Sequence, residues 1–276
     1  MFFVETYRPV VLLAHLFMVL IIPTISITHG VCGAQIAALA HETHHADRDI
    51  YSQNPVDRAR LLRKENSKML HLQFLDRDPW DPVNLEIIAQ MRHAVDIPFG
   101  LSLSELPRTD ADCKALFNSG VYRIFLPLGT PDDVFFSYCD SHTARKIVPT
   151  VDVQYDFEGK LPEYQRRKID RIAVELSPRD TLETGEIPWE RLHEIGHLGK
   201  QYHIRMTGLH GVRGFPQLRQ FQDPHGGFDS LILCRALNEN RFPCQLIWRE
   251  MEATAALAET PASNLWSNPL HGKPHI

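Results

Sequence analysis

From Val19 onward, short apolar runs closed by turn residues alternate with longer segments whose apolar residues recur at helical spacing. The short runs read as buried strands and the longer segments as amphipathic helices. The pattern predicts eight strands: Val19–Ile27, Met69–Leu75, Phe99–Leu103, Tyr122–Leu128, Lys146–Val153, Arg171–Leu176, His203–Gly208 and Ser230–Cys234. Helix signals lie between them. Asn54-Pro55 opens a helix running to Arg63, Asp81-Pro82 precedes Val83–Ala94, Thr109 caps Asp110–Asn118 ahead of Gly120, and Ile187-Pro188 precedes Trp189–Lys200. Strand, helix, strand at this spacing implies right-handed parallel crossovers, and eight repeats close an α/β ring, the (βα)8 TIM barrel.

One apolar frame occurs twice. Residues 21–27 read IIPTISI and residues 147–153 read IVPTVDV. Repetition at nearly half the chain length points to two similar halves, each opening with a buried strand. The last polar residue of each copy is Ser26 in one and Asp152 in the other. Both fall at a strand's C-terminal end, where a parallel barrel keeps its chemistry.

Composition narrows the picture without redirecting it. A chain of 276 residues has room for one such barrel, and the formal net charge of −5 carries no basic block of the kind nucleic acid requires. Five cysteines without a CxxC pair fit a reducing compartment, here the cytoplasm, better than a disulfide framework or a cysteine zinc site. The apolar stretch Val10–Ile22 is short for a membrane span, lacks a small-residue cleavage site, and ends inside the first strand. The expected organisation is an extension over residues 1–17, a barrel over 18–256 and a loose tail over 257–276, with no membrane partner; an uncleaved anchor is the alternative.

The chain resembles the HisA/HisF-type histidine-biosynthesis barrels, which are the ProFAR isomerase and the cyclase subunit of imidazole glycerol phosphate synthase. The residues that carry the resemblance are the opening IIPTISI with Gly30, Tyr51–Pro55, MLHLQFL at Met69–Leu75, NLEIIAQMRHAVDIP at Asn84–Pro98, Gly120-Val121 and IVPTVDV, in register from Val19 to Ala253. The resemblance is closer to the isomerase. It implies a half-barrel duplication, a substrate with a phosphate at each end, an Amadori-type aldose–ketose isomerisation (an intramolecular oxidoreduction) and no cofactor. Such a reaction needs one positioned acid and one base, supplied by carboxylates ending strands one and five. Asp152 matches the second and Ser26 stands where the first belongs, while Thr181 matches a supporting threonine after strand six. His71, Ser102, Gly208 and Arg235 are the expected contacts to a small, phosphorylated ligand. The glycine-rich strand ends that hold phosphate in this family are replaced by Leu101–Ser104, by Pro127-Leu128 and by Cys234, and a strand-two aspartate falls at Phe74. These departures imply a diverged paralogue with weak or no isomerase activity.

Two HExxH strings compete with that reading: His41–His45, in a long segment expected to cover the mouth, and His193–His197, followed by His203. On a helix, this spacing puts two imidazoles on one face for zinc. In the barrel register the second string lies on an outer helix, so a metal-dependent hydrolase would use His41, His44 and His45. A noncatalytic binding barrel is the other alternative. No metal site is assigned from the sequence.

Overall fold

In the computed structural model the residues described are 19–32, 53–75, 78–176, 187–212, 214–221 and 226–234. The expected extension and tail lie outside them. Strand β1 spans Leu20–Thr28, β2 Leu70–Phe74, β3 Phe99–Ser102, β4 Val121–Phe125, β6 Arg171–Glu175, β7 Arg205–Leu209 and β8 Phe228–Leu233. β5 comes in two pieces, Ile147–Val148 and Thr150–Asp152, either side of Pro149. The helices are α1 Pro55–Lys64, α2 Pro82–Ala94, α3 Asp110–Ser119, α4 Asp132–Ser141, α5 Phe157–Arg166, α6 Trp189–Gln201 and α7 Phe215–Phe221. Each of the first seven barrel strands is thus followed by a helix. A two-residue strand, Val31–Cys32, folds back antiparallel on the end of β1.

The two repeated segments are the seams of the ring. The lower half of β1 pairs in parallel with β8, from Leu20 opposite Ser230 to Pro23 opposite Leu233. Its upper half pairs with β2, from Thr24 opposite His71 to Ile27 opposite Phe74. β5 repeats the arrangement: Ile147-Val148 pairs with β4, and Thr150–Asp152 with β6. Val148 O accepts from Leu126 N, and the next carbonyl, of Pro149, accepts from Ala173 N on the other side, both at 2.9 Å. A proline lacks the N–H a ladder needs, so it is tolerated where one ladder stops and the next starts. With β5 joining β4 to β6, the parallel ladder is continuous around the barrel.

Side chains alternate across each strand. One set meets inside the ring as Leu20, Ile22, Met69, Phe125, Val148, Ala173, Leu209 and Ile232. The other set, including Ile21, Ile25, Leu72, Leu101, Ile124, Val151 and Val174, packs against helical residues such as Leu62, Ile88, Leu116, Leu161 and Ile195. On the inward side of the barrel floor, Arg171 donates to both carboxylate oxygens of Asp229 at 2.6 Å, and to Thr207 Oγ1 and Ser230 Oγ at 2.5 and 2.8 Å.

The caps act as their residue types predict. Asn54 Oδ1 accepts from Val56 N and Asp57 N, and Thr109 with Asp112 forms a reciprocal capping box. The structure adds α4, α5 and α7 to the helices legible in the sequence. It also corrects two strand boundaries: β4 ends at Phe125, ahead of Pro127, and β7 starts at Arg205 because His203 takes a left-handed turn (φ 56°) closing α6.

Candidate active site at the barrel mouth

The inward parity that places Ile22 in the barrel interior carries on to Thr24 and Ser26. Likewise it leads from Met69 to His71 and Gln73, and from Ala173 to Glu175. The C-terminal mouth is therefore lined by polar residues above an apolar plug. Phe74, in contrast, packs in the outer shell. Gln73 is the residue β2 presents inward.

Ser26 is 1% exposed, and its Oγ lies 3.4 Å from Cys234 Sγ at the end of the adjacent β8. Asp152 sits on the opposite side of the ring, at the end of β5. Its Oδ1 accepts from Gln154 N at 2.7 Å, and its carbonyl accepts from Tyr155 N at 2.9 Å, so the side chain stiffens the loop that follows.

His71 and Ser102, from neighbouring strands, come together below the rim, with Nε2 and Oγ 2.7 Å apart. His71 is 2% exposed, packs edge-on against the Phe125 ring at 4.9 Å, and has Gly100 beneath it. A Cβ at Gly100 would stand 3.0 Å from His71 Nδ1 and 2.9 Å from Phe125 Cε2, so the imidazole fits only because β3 carries glycine there. Burial, with a smaller electrostatic contribution from the neighbouring His210, lowers the His71 pKa to about 3 and keeps the ring neutral. Among the described residues its Nδ1 has no hydrogen-bond partner.

Gly208 is inside β7 with Val174 and Leu231 as ladder neighbours. A Cβ there would meet Leu231 Cδ2 at 2.6 Å and Leu176 Cδ1 at 3.0 Å, which places its bare face in the outer shell. Thr181, Arg235, His41, His44 and His45 lie outside the described residues.

Sequence reasoning passed over the pair formed by Glu175 and His210. Glu175 ends β6, is 6% exposed, and points inward beside Asp152, its register partner on β5. His210 follows β7 in a left-handed conformation (φ 57°), and its Nδ1 lies 2.8 Å from Glu175 Oε1. Glu175 did carry a signal, as an acidic residue inside the apolar run Ile172–Leu176. His210 carried none, because its partner is fixed by strand register.

Beside this arc, Asp132 at the start of α4 accepts from Tyr155 and Tyr164 at 2.9 and 2.8 Å and from Lys160 at 2.5 Å. Partial burial opposes its ionisation, but the bonds from Lys160, Tyr164 and Tyr155 prevail and hold its pKa below the usual carboxylate value.

The second HExxH string lies on the outer helix α6, with His193, Glu194 and His197 exposed. Glu194 pairs with Arg191 at 3.0 Å. Gly196 within it serves packing: a Cβ there would fall 1.8 Å from Gly226 O. Among the described residues no cluster of three or more His, Cys, Asp or Glu is arranged to hold a metal ion.

No family model matches the chain. A 1-(5-phosphoribosyl)-5-((5-phosphoribosylamino)methylideneamino) imidazole-4-carboxamide isomerase, or ProFAR isomerase, of Salinibacter ruber is 29% identical over 264 residues, covering 88% of this chain and 97% of the relative. Enzymes of the same name from Chloroherpeton thalassium and Chlorobium luteolum are 28% and 29% identical, covering 86% and 84% of this chain and 94% of each relative. The chain is a ProFAR-isomerase-like barrel. Within this barrel, strand five carries a carboxylate at the mouth while strand one presents a buried hydroxyl. Among the described residues, no helix of the ProFAR-isomerase-like barrel is long and apolar enough to cross a membrane.

Proposed function

We propose that this ProFAR-isomerase-like barrel is a diverged, cytoplasmic paralogue that takes a small, carbonyl-bearing sugar phosphate at its mouth and does not isomerise ProFAR efficiently. The observation that carries the reading is Ser26: a hydroxyl that is 1% exposed and hydrogen-bonded to Cys234 occupies the strand-one position that the resemblance assigns to a carboxylate. An unactivated serine is a poor base, and losing one member of an acid–base pair costs about 10² to 10⁴ in rate. The turn after β4 speaks against one of the two phosphate sites that ProFAR, with a phosphate at each end, would need. Pro127 has no N–H to offer a phosphate, and its carbonyl is taken by Thr130 N and Oγ1. The helix that follows opens with Asp132 and Asp133, which repel an anion at that N-terminus. Purified protein incubated with ProFAR is expected to give no turnover above background, and to leave an isomerase-deficient strain auxotrophic for histidine. Growth at the rate given by a true isomerase refutes the reading.

A further inference from the structure

We infer that Glu175 and His210 form a proton-transfer dyad in the mouth, with His210 as the base that removes a carbon-bound proton beside the carbonyl of the bound sugar phosphate. The inference rests on the ligand reading above. Four observations support it. The two side chains come from adjacent strands and meet at 2.8 Å through His210 Nδ1. Their exposures are unequal: the Glu175 side chain is 8% exposed and that of His210 30% exposed, so the carboxylate is sheltered while the ring reaches the open mouth. His210 also holds a left-handed backbone (φ 57°) that non-glycine residues seldom adopt, and such outliers gather at functional sites. Lastly, it lies near enough to His71, which lines the barrel interior, for the two rings to interact electrostatically, so it borders the mouth rather than the outer surface.

A buried carboxylate accepting from Nδ1–H fixes the imidazole tautomer and leaves the Nε2 lone pair free. No described residue hydrogen-bonds Nε2. In the reaction, Nε2 takes the proton from the carbon next to the carbonyl, the C–H electron pair becomes the C=C bond of an enediolate, and the carbonyl π electrons move to oxygen. Glu175 stays ionised and stabilises the imidazolium. Return of the proton, or of a deuteron from heavy water, regenerates the carbonyl, so no oxidant or co-reactant is needed. The titratable groups facing His210 are Glu175 and His71, with Asp152 one strand further along the mouth.

Ribulose 5-phosphate serves as the probe, with its binding followed by calorimetry and exchange of its carbon-bound hydrogens in D2O followed by proton NMR. Wild-type protein is expected to bind the probe and to speed exchange over buffer alone. His210→Asn, which tolerates the left-handed backbone, is expected to bind as wild type and to lose about 10²-fold in exchange. Glu175→Gln is expected to retain part of the exchange with a pH midpoint displaced downward, because a negative neighbour no longer favours the imidazolium; a purely structural pair would not move that midpoint. Binding without exchange, or exchange by His210→Asn at the wild-type rate, overturns the dyad and leaves the ligand reading standing. Failure of wild-type protein to bind the probe overturns the ligand reading and the dyad with it.

Discussion

Burial of His71 sets a specific acid limit on stability. Its pKa is about 3 in the folded protein against 6.5 for an unperturbed imidazole. The folded value is depressed, so the neutral ring's contribution is complete above pH 6.5 and declines as pH falls from 6.5 toward 3. Each pH unit in that window costs about 1.4 kcal/mol, so about 2 kcal/mol is gone at pH 5, with a ceiling near ~5 kcal/mol once the folded ring protonates. The comparison variant is His71→Gln, whose amide can still meet Ser102 but does not titrate. It loses packing on Phe125 by an amount independent of pH. Urea unfolding of both proteins at pH 7, 6 and 5 is expected to show the wild-type advantage shrinking by about 2 kcal/mol across the series. Parallel stability profiles, or an NMR titration of His71 with a midpoint near 6.5, refute the reasoning.

Other consequences are as direct. Asp132→Ala leaves the buried Tyr164 hydroxyl with only Tyr155 as partner, and is expected to cost about 1–3 kcal/mol in chemical denaturation at pH 7. Because the Asp132 pKa is depressed, that advantage is present above the unfolded carboxylate range and is expected to narrow as pH falls through it. Arg171→Ala strips the buried partner from Asp229, Thr207 and Ser230 and is expected to cost about 1–3 kcal/mol, since the Asp229 carboxylate it leaves is partly solvated, whereas Arg171→Met, filling the space, should cost distinctly less. Gly196→Ala drives a methyl into Gly226 O and should lower stability by about 1–3 kcal/mol or more, seen as a falling thermal midpoint.

Strand positions were legible because each barrel strand is buried on both faces and so reads as an apolar run. The helices with Asn54, Asp81 or Thr109 at their caps were equally plain. α5 was hidden by Gly159 and Pro162, which look like breakers; it forms because Phe157, Leu161 and Tyr164 bury one stripe and Asp156 caps the Gly159 N–H. At the mouth, the internal repeat pointed to Ser26 and Asp152, and the family resemblance pointed to His71 and Ser102, but the hydrogen bond that joins these two is visible only in the structure. Glu175 with His210 could not be anticipated, since it depends on which residue of β6 stands beside the end of β7. Gly208 misled for a related reason: a glycine near a strand end suggests an anion contact, but register turns its face to Leu176 and Leu231.

The proline seams in β1 and β5 tie the fate of each half to the other. A fragment cut ahead of Ile147 would keep β1 through β4 yet strand the β8-facing rungs of Leu20–Pro23 and the β4 edge that Ile147-Val148 covers. Such open edges recruit other chains. Halves made separately would therefore tend to close edge to edge, either on each other or on copies of themselves.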